Sequence, residues 1–234
     1  MKNPIIVALD VPEASAALTL AEEVAPAVGA FKIGKELFVS AGPDIVKHVR
    51  DTGAAVFLDL KFHDIPNTVS KAVASATRLD VQMLTVHTSG GSKMLERALE
   101  GANEAANQTG NEAPLILGVT VLTSMDESDL NKVSVNKTPE NQVIHLAQMA
   151  TGAGLKGLVC SPKEIAPLRE VLPAEVKLVT PGIRPAGSET GDQKRVMSPA
   201  DAVQAGADWL VIGRPIYAAD HPREAAEAIL DSLN

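Results

Sequence analysis

Two aspartates and a lysine stand close together in FLDLKFHDIPNT, residues 57–68. In a strand, side chains alternate faces, so Asp59 and Lys61 point one way while Leu58 and Leu60 point the other. If the leucines meet a covering layer, the two charges face the interior, where a charge is costly unless paired. Asp64 follows three residues after Lys61, in the loop before the helix that Pro66 helps to start. Two further runs send charge the same way. In FKIG (31–34), Phe31 and Ile33 share one face and Lys32 takes the other, and Asp10 closes IIVALD (5–10). Alternating lysines and aspartates from neighbouring strands would form a charge network, each pair worth about 4 kcal/mol at an effective dielectric near 20. A structural ion pair at a strand end is the plainer reading of one such motif. Three strands converging favours a site. Such a network would also fix each side chain in place.

A second set of residues suits an anion. In IGRPI (212–216), Gly213 lets the backbone approach a ligand closely and Arg214 offers a bidentate fork. Arg184 ends TPGIR (180–184) in the preceding apolar run. Other candidates carry less. For His87 a place at the site and a structural hydrogen bond are both open, and His63 reads as lying behind the site. Ser124 and Ser161 lack a triad partner, Cys160 reads as a small buried residue, and Trp209 as a packing residue. No His/Cys cluster has metal-ligand spacing.

These residues need a scaffold, and the apolar runs supply one. They fall at 5–10, 31–34, 55–61, 83–88, 115–122, 157–161, 177–183 and 209–213, most with an amphipathic stretch before the next, beginning with a helix over 12–28. Strands alternating with helices make a parallel sheet. Eight units in 234 residues leave about 29 residues each, which fits a (β/α)8 TIM barrel occupying 1–234 as a single domain. An open doubly wound sheet is weaker, because no GxGxxG follows the first run. Two polar stretches, 124–138 and 185–195, then fall at the C-terminal mouth, and the second is expected to act as a lid because little in it can pack.

Composition narrows the partners. Twenty-one Lys and Arg against 29 Asp and Glu give a net charge of −8, and aromatics are 3%, which argues against a nucleic-acid surface. An anionic ligand must be met by a few placed cations. One cysteine excludes an intramolecular disulfide framework. Neither a signal peptide nor a membrane span is legible, so the expectation is a cytoplasmic protein without membrane partners.

At this point the sequence resembles a known family. DLKFHDIPNT is similar to the D-x-K-x-x-D-I-x-x-T signature of orotidine 5′-monophosphate decarboxylases of the stand-alone bacterial type. The likeness continues through ALD (8–10), FKIG (31–34), VTVLTSM (119–125), TPGIR (180–184), DQKR (192–195) and IGRPI (212–216). It implies decarboxylation of orotidine monophosphate to UMP, the last step of de novo pyrimidine synthesis, with neither metal nor organic cofactor. It also implies roles. Lys61 would protonate C6, Asp59 would lie beside the substrate carboxylate, and Lys32 and Asp64 would complete a charged tetrad. Asp10 and Lys32 would hold ribose hydroxyls, and Thr123, or else Ser124, the pyrimidine. Gln193 would bridge base and phosphate, while Arg184, Gly213 and Arg214 take the phosphate. Asp64 and Thr68 would reach the site of a second subunit, making a homodimer with shared sites. The alternatives are a magnesium-dependent phosphosugar lyase of the same superfamily, which carries a glutamate where this chain has Lys32, and an inactive nucleotide-binding barrel.

Overall fold

Alternation along the strands sorts the apolar side chains into two compartments. The computed structural model describes residues 2–185 and 197–233. In β1 (Ile5–Ala8), Ile5 and Val7 face the helices while Ile6 and Ala8 face inward. In β2 (Ala30–Gly34), Phe31 and Ile33 point outward and Ala30 inward. The other strands are β3 (Ala55–Phe62), β4 (Met83–His87), β5 (Leu115–Val119), β6 (Gly157–Val159), β7 (Lys177–Pro181) and β8 (Trp209–Ile212). All pair in parallel and in sequence order, and β1 also pairs with β8, which closes the barrel. The expected TIM barrel is the fold found.

The outer compartment is the larger core. Phe31, Ile33 and Leu58 are fully buried there, each contributing about 1.5–3 kcal/mol by leaving water. The inner compartment is a small apolar plug that includes Ile6, Ala30, Phe57, Met83, Leu117 and Val211. One inward position above Ala30, Phe57 and Met83, the strands offer Lys32, Asp59 and Thr85 instead. The polar mouth therefore stands directly on a dry floor.

Several boundaries differ from the sequence expectation. β1, β5 and β6 stop at Ala8, Val119 and Val159, two or three residues early, because the apolar runs continue into loops that still pack. The first helix is Ala14–Val24, shorter than 12–28 at both ends. Pro12 precedes it, and Pro26, which cannot donate to a helical ladder, turns the next residues into a 3-10 turn, Ala25–Ala27. The polar stretch 124–138 contains a short helix, Glu127–Lys132, opened by a capping box between Asp126 and Asp129. Residues 186–196 lie outside the described residues, so the lid expectation and Gln193 fall there. The chain on either side is joined, since the Arg184 N–H donates to the Met197 carbonyl at 3.0 Å. Among the described residues no helix is long and apolar enough to cross a membrane.

Candidate active site

The first charge pair joins β1 to β2. Ala8 pairs in register with Lys32, and Asp10 lies two residues beyond that pairing. The Lys32 Nζ donates to Asp10 Oδ1 at 2.8 Å. The lysine side chain is only 12% exposed while the aspartate is 50% exposed, so the pair runs from the barrel wall out to the rim. Gly34 keeps that space open: a Cβ there would come within 3.2 Å of Lys32 Nζ.

The second pair lies within β3. The Lys61 Nζ donates to both Asp59 oxygens, each at 2.8 Å. A regular ladder does not produce this arrangement. Leu58 pairs with Leu84 but Phe62 with Val86, so four steps along β3 oppose two along β4. The surplus is taken up in a bulge, and Lys61 adopts φ 53, a left-handed conformation uncommon outside glycine. Thr85, fully buried on β4, answers the disruption. Its hydroxyl accepts from the Lys61 N–H at 2.8 Å and donates to Asp59 Oδ1 at 2.9 Å. Sequence reasoning missed Thr85. The available signal was its position two residues from inward-facing Met83, as a hydroxyl between Leu84 and Val86.

His87 stands behind this pair. Its ring lies 5.5 Å from that of exposed His63, and the two are tilted by 46°. Burial, then the positive fields of His63, Lys61 and Lys35, hold the His87 imidazole below its ordinary pKa, with Asp59 opposing. Burial is the main cause that pushes the Cys160 thiol up to about 12.

Two cavities meet at the mouth. One, of about 190 Å³, has Lys32, Asp59, Lys61 and Thr123 on its walls among apolar residues such as Phe57 and Val159. The other, of about 510 Å³, is lined by Asp10, Lys32, Arg184, Gly213, Arg214 and Tyr217, among others. Lys32, Pro181 and Val211 border both. In the larger one, Arg184 is 9% exposed and gives Nη1 to the Ile183 carbonyl at 2.9 Å, while its Nε has no partner among the described residues. Burial, then the neighbouring Arg214, lower the Arg184 pKa, with Tyr217 opposing. The cavity thus brings two guanidinium side chains to one wall. At Gly213 a Cβ would come within 3.3 Å of the Tyr217 ring.

Within one chain the charges at the mouth stand as two pairs, Lys32 with Asp10 and Lys61 with Asp59. No ion pair links Lys32 to Asp59 or Lys61 to Asp64 among the described residues. Asp64 lies past the end of β3, exposed, with its Oδ1 accepting from the Ile65 N–H at 2.6 Å. Thr68 is likewise exposed, in the first turn of the helix Pro66–Thr77. β3 ends at Phe62, and Asp64 lies in the loop that follows. Ser124 is absent from the walls that Thr123 joins. Among the described residues no three His, Cys, Asp or Glu side chains gather to hold a metal.

Comparison with known proteins places the chain among relatives. A family profile described as orotidine 5′-phosphate decarboxylase / HUMPS family matches residues 3–229. The chain is 50% identical to an orotidine 5′-phosphate decarboxylase of Actinobacillus succinogenes, over all of this chain and 99% of that one. It is also 50% identical to one from Vibrio cholerae over the full length of both. The crystal structure of orotidine 5′-phosphate decarboxylase from Lactobacillus acidophilus superposes with a TM-score of 0.87 at 38% identity, covering 99% of each chain. With the match running from the first strand to the last helix, the chain belongs to the orotidine 5′-phosphate decarboxylase / HUMPS family.

Proposed function

We propose that this chain decarboxylates orotidine 5′-monophosphate to UMP, the closing step of de novo pyrimidine nucleotide synthesis. The observation that carries the proposal is the Lys61–Asp59 pair on the wall of a small cavity adjoining an arginine-lined one. A pyrimidine carrying a carboxylate suits the first cavity and a 5′-phosphate the second. Neither the magnesium-dependent lyase nor an inactive barrel gains support from the comparisons.

The chemistry follows from where the charge appears. The bond from C6 to the carboxylate breaks, CO2 leaves, and the electron pair remains at C6 in the ring plane, where the π system cannot take it up. A localised carbanion calls for a cation already in position. Lys61 supplies it, transfers a proton from Nζ to C6, and regains one from water. Asp59 holds that ammonium and lies beside the departing carboxylate. Asp10 and Lys32 take ribose hydroxyls, Thr123 the pyrimidine, and Arg184, Gly213 and Arg214 the phosphate. Gln193 is assigned to base and phosphate by resemblance. The reaction in this reading uses neither metal nor organic cofactor.

The chain acts as a homodimer in the cytoplasm in this proposal. Asp64 and Thr68 are exposed near Ile65, a residue 66% exposed, which supports a face that meets a second copy and completes its site. The test of function is incubation of the purified protein with orotidine 5′-monophosphate. Equal amounts of UMP and CO2 are expected, with a fall in near-UV absorbance. Unchanged substrate overturns the proposal.

A further inference from the structure

We infer that Thr85 is a positioning residue for the decarboxylation, the group that keeps Lys61 and Asp59 aligned through the bulge in β3. The inference rests on the function proposed above and adds to it a residue outside the expected site. Its basis is the geometry of one hydroxyl. A backbone N–H can only donate and an ionised carboxylate can only accept, so the direction of both bonds is forced. Thr85 accepts from the Lys61 N–H at 2.8 Å and donates to Asp59 Oδ1 at 2.9 Å.

The bulge gives that hydroxyl its importance. Four residues of β3 opposite two of β4 displace the Lys61 backbone from regular pairing, and its φ of 53 is one that a lysine does not hold without support. Thr85 satisfies the displaced N–H from the neighbouring strand, and the same oxygen restrains the carboxylate that the Lys61 ammonium grips. Backbone and side chain of the proton donor are thus tied to one fully buried atom group. Valine at this position keeps the shape and removes both bonds. Serine keeps both bonds and removes only a methyl group.

The experiment compares wild type, Thr85→Val and Thr85→Ser, with Thr85→Ala replacing the valine variant if that one does not fold. Two readouts are taken: steady-state kinetics on orotidine 5′-monophosphate and exchange of the Lys61 amide hydrogen by NMR. In Thr85→Val, kcat is expected to fall about ten- to hundredfold, the scale of a hydrogen bond to a charged group, with KM within about twofold. The Lys61 amide is expected to exchange faster. Thr85→Ser should recover most of both. Wild-type kcat in Thr85→Val, or a serine variant as impaired as the valine one, overturns the inference, as does an unchanged Lys61 amide. Absence of turnover in wild type with the amide behaving as described overturns the proposed function instead, leaving the bond to Thr85 in place.

Discussion

Lys61 and Asp59 lie two residues apart on one strand, and the lysine ammonium reaches both oxygens of the carboxylate at 2.8 Å. Side chains two apart start about 6.6 Å from each other in a regular strand, so the pair forms by the long lysine folding back over a bulged backbone. The cation therefore arrives with its counter-ion before any ligand is bound. A substrate meets a charge whose orientation is already set, so little reorganisation is left for the reaction itself.

Arg214 and Arg184 meet in the larger cavity from the ends of β8 and β7. Arg214→Ala is expected to lower kcat/KM for orotidine 5′-monophosphate about ten- to thousandfold, through loss of charge-assisted bonds to phosphate. Arg184→Ala should act in the same direction. With orotidine lacking the phosphate, each variant should match wild type. Equal losses on both substrates would remove the arginines from phosphate binding.

Asp64 and Asp59 belong to different sites of a dimer in this account. Mixing inactive Asp59→Ala with inactive Asp64→Ala subunits should restore activity in hybrids, because one site of each hybrid keeps both carboxylates. Restored turnover after subunit exchange, tracked by labelled chains, is the expected outcome. Proven exchange with no recovery would argue for sites built from a single chain.

His87 gives a pH dependence with a definite sign. Its folded pKa is held below the ordinary 6.5, mainly by burial. The unfolded chain therefore binds the proton more readily, so stability from this group is lost as pH falls through 6.5 and below, and returns as pH rises. Urea midpoints at pH 8 and pH 5.5 test this. The wild type should lose more on acidification than His87→Gln. An equal loss would show that His87 is not held neutral by its surroundings.

The barrel was legible because its signals are local: eight apolar runs with period-two alternation, most separated by helical stretches. Asp59 and Lys32 were readable as inward-facing by parity with Phe57 and Ala30. The bulge was not, since parity counting assumes a regular strand and Lys61 breaks it with φ 53. Thr85 escaped notice because its role depends on which atoms the bulge leaves without partners. The helix Glu127–Lys132 was missed within a polar stretch, although Asp126-x-x-Asp129 before Leu130 carries the signature of a capping box. The grouping of Arg184 with Arg214 was legible because they follow β7 and β8, neighbouring strands that pair directly.

The central claim is that Lys61 performs the chemistry without a metal. The initial rate of loss of orotidine 5′-monophosphate, measured in excess EDTA for wild type and Lys61→Ala, tests it most directly. Wild-type turnover should be unaffected by EDTA, and a folded Lys61→Ala variant should be slower by about a thousandfold or more. Near-normal turnover in that variant, or wild-type activity abolished by EDTA and restored by magnesium, would contradict it.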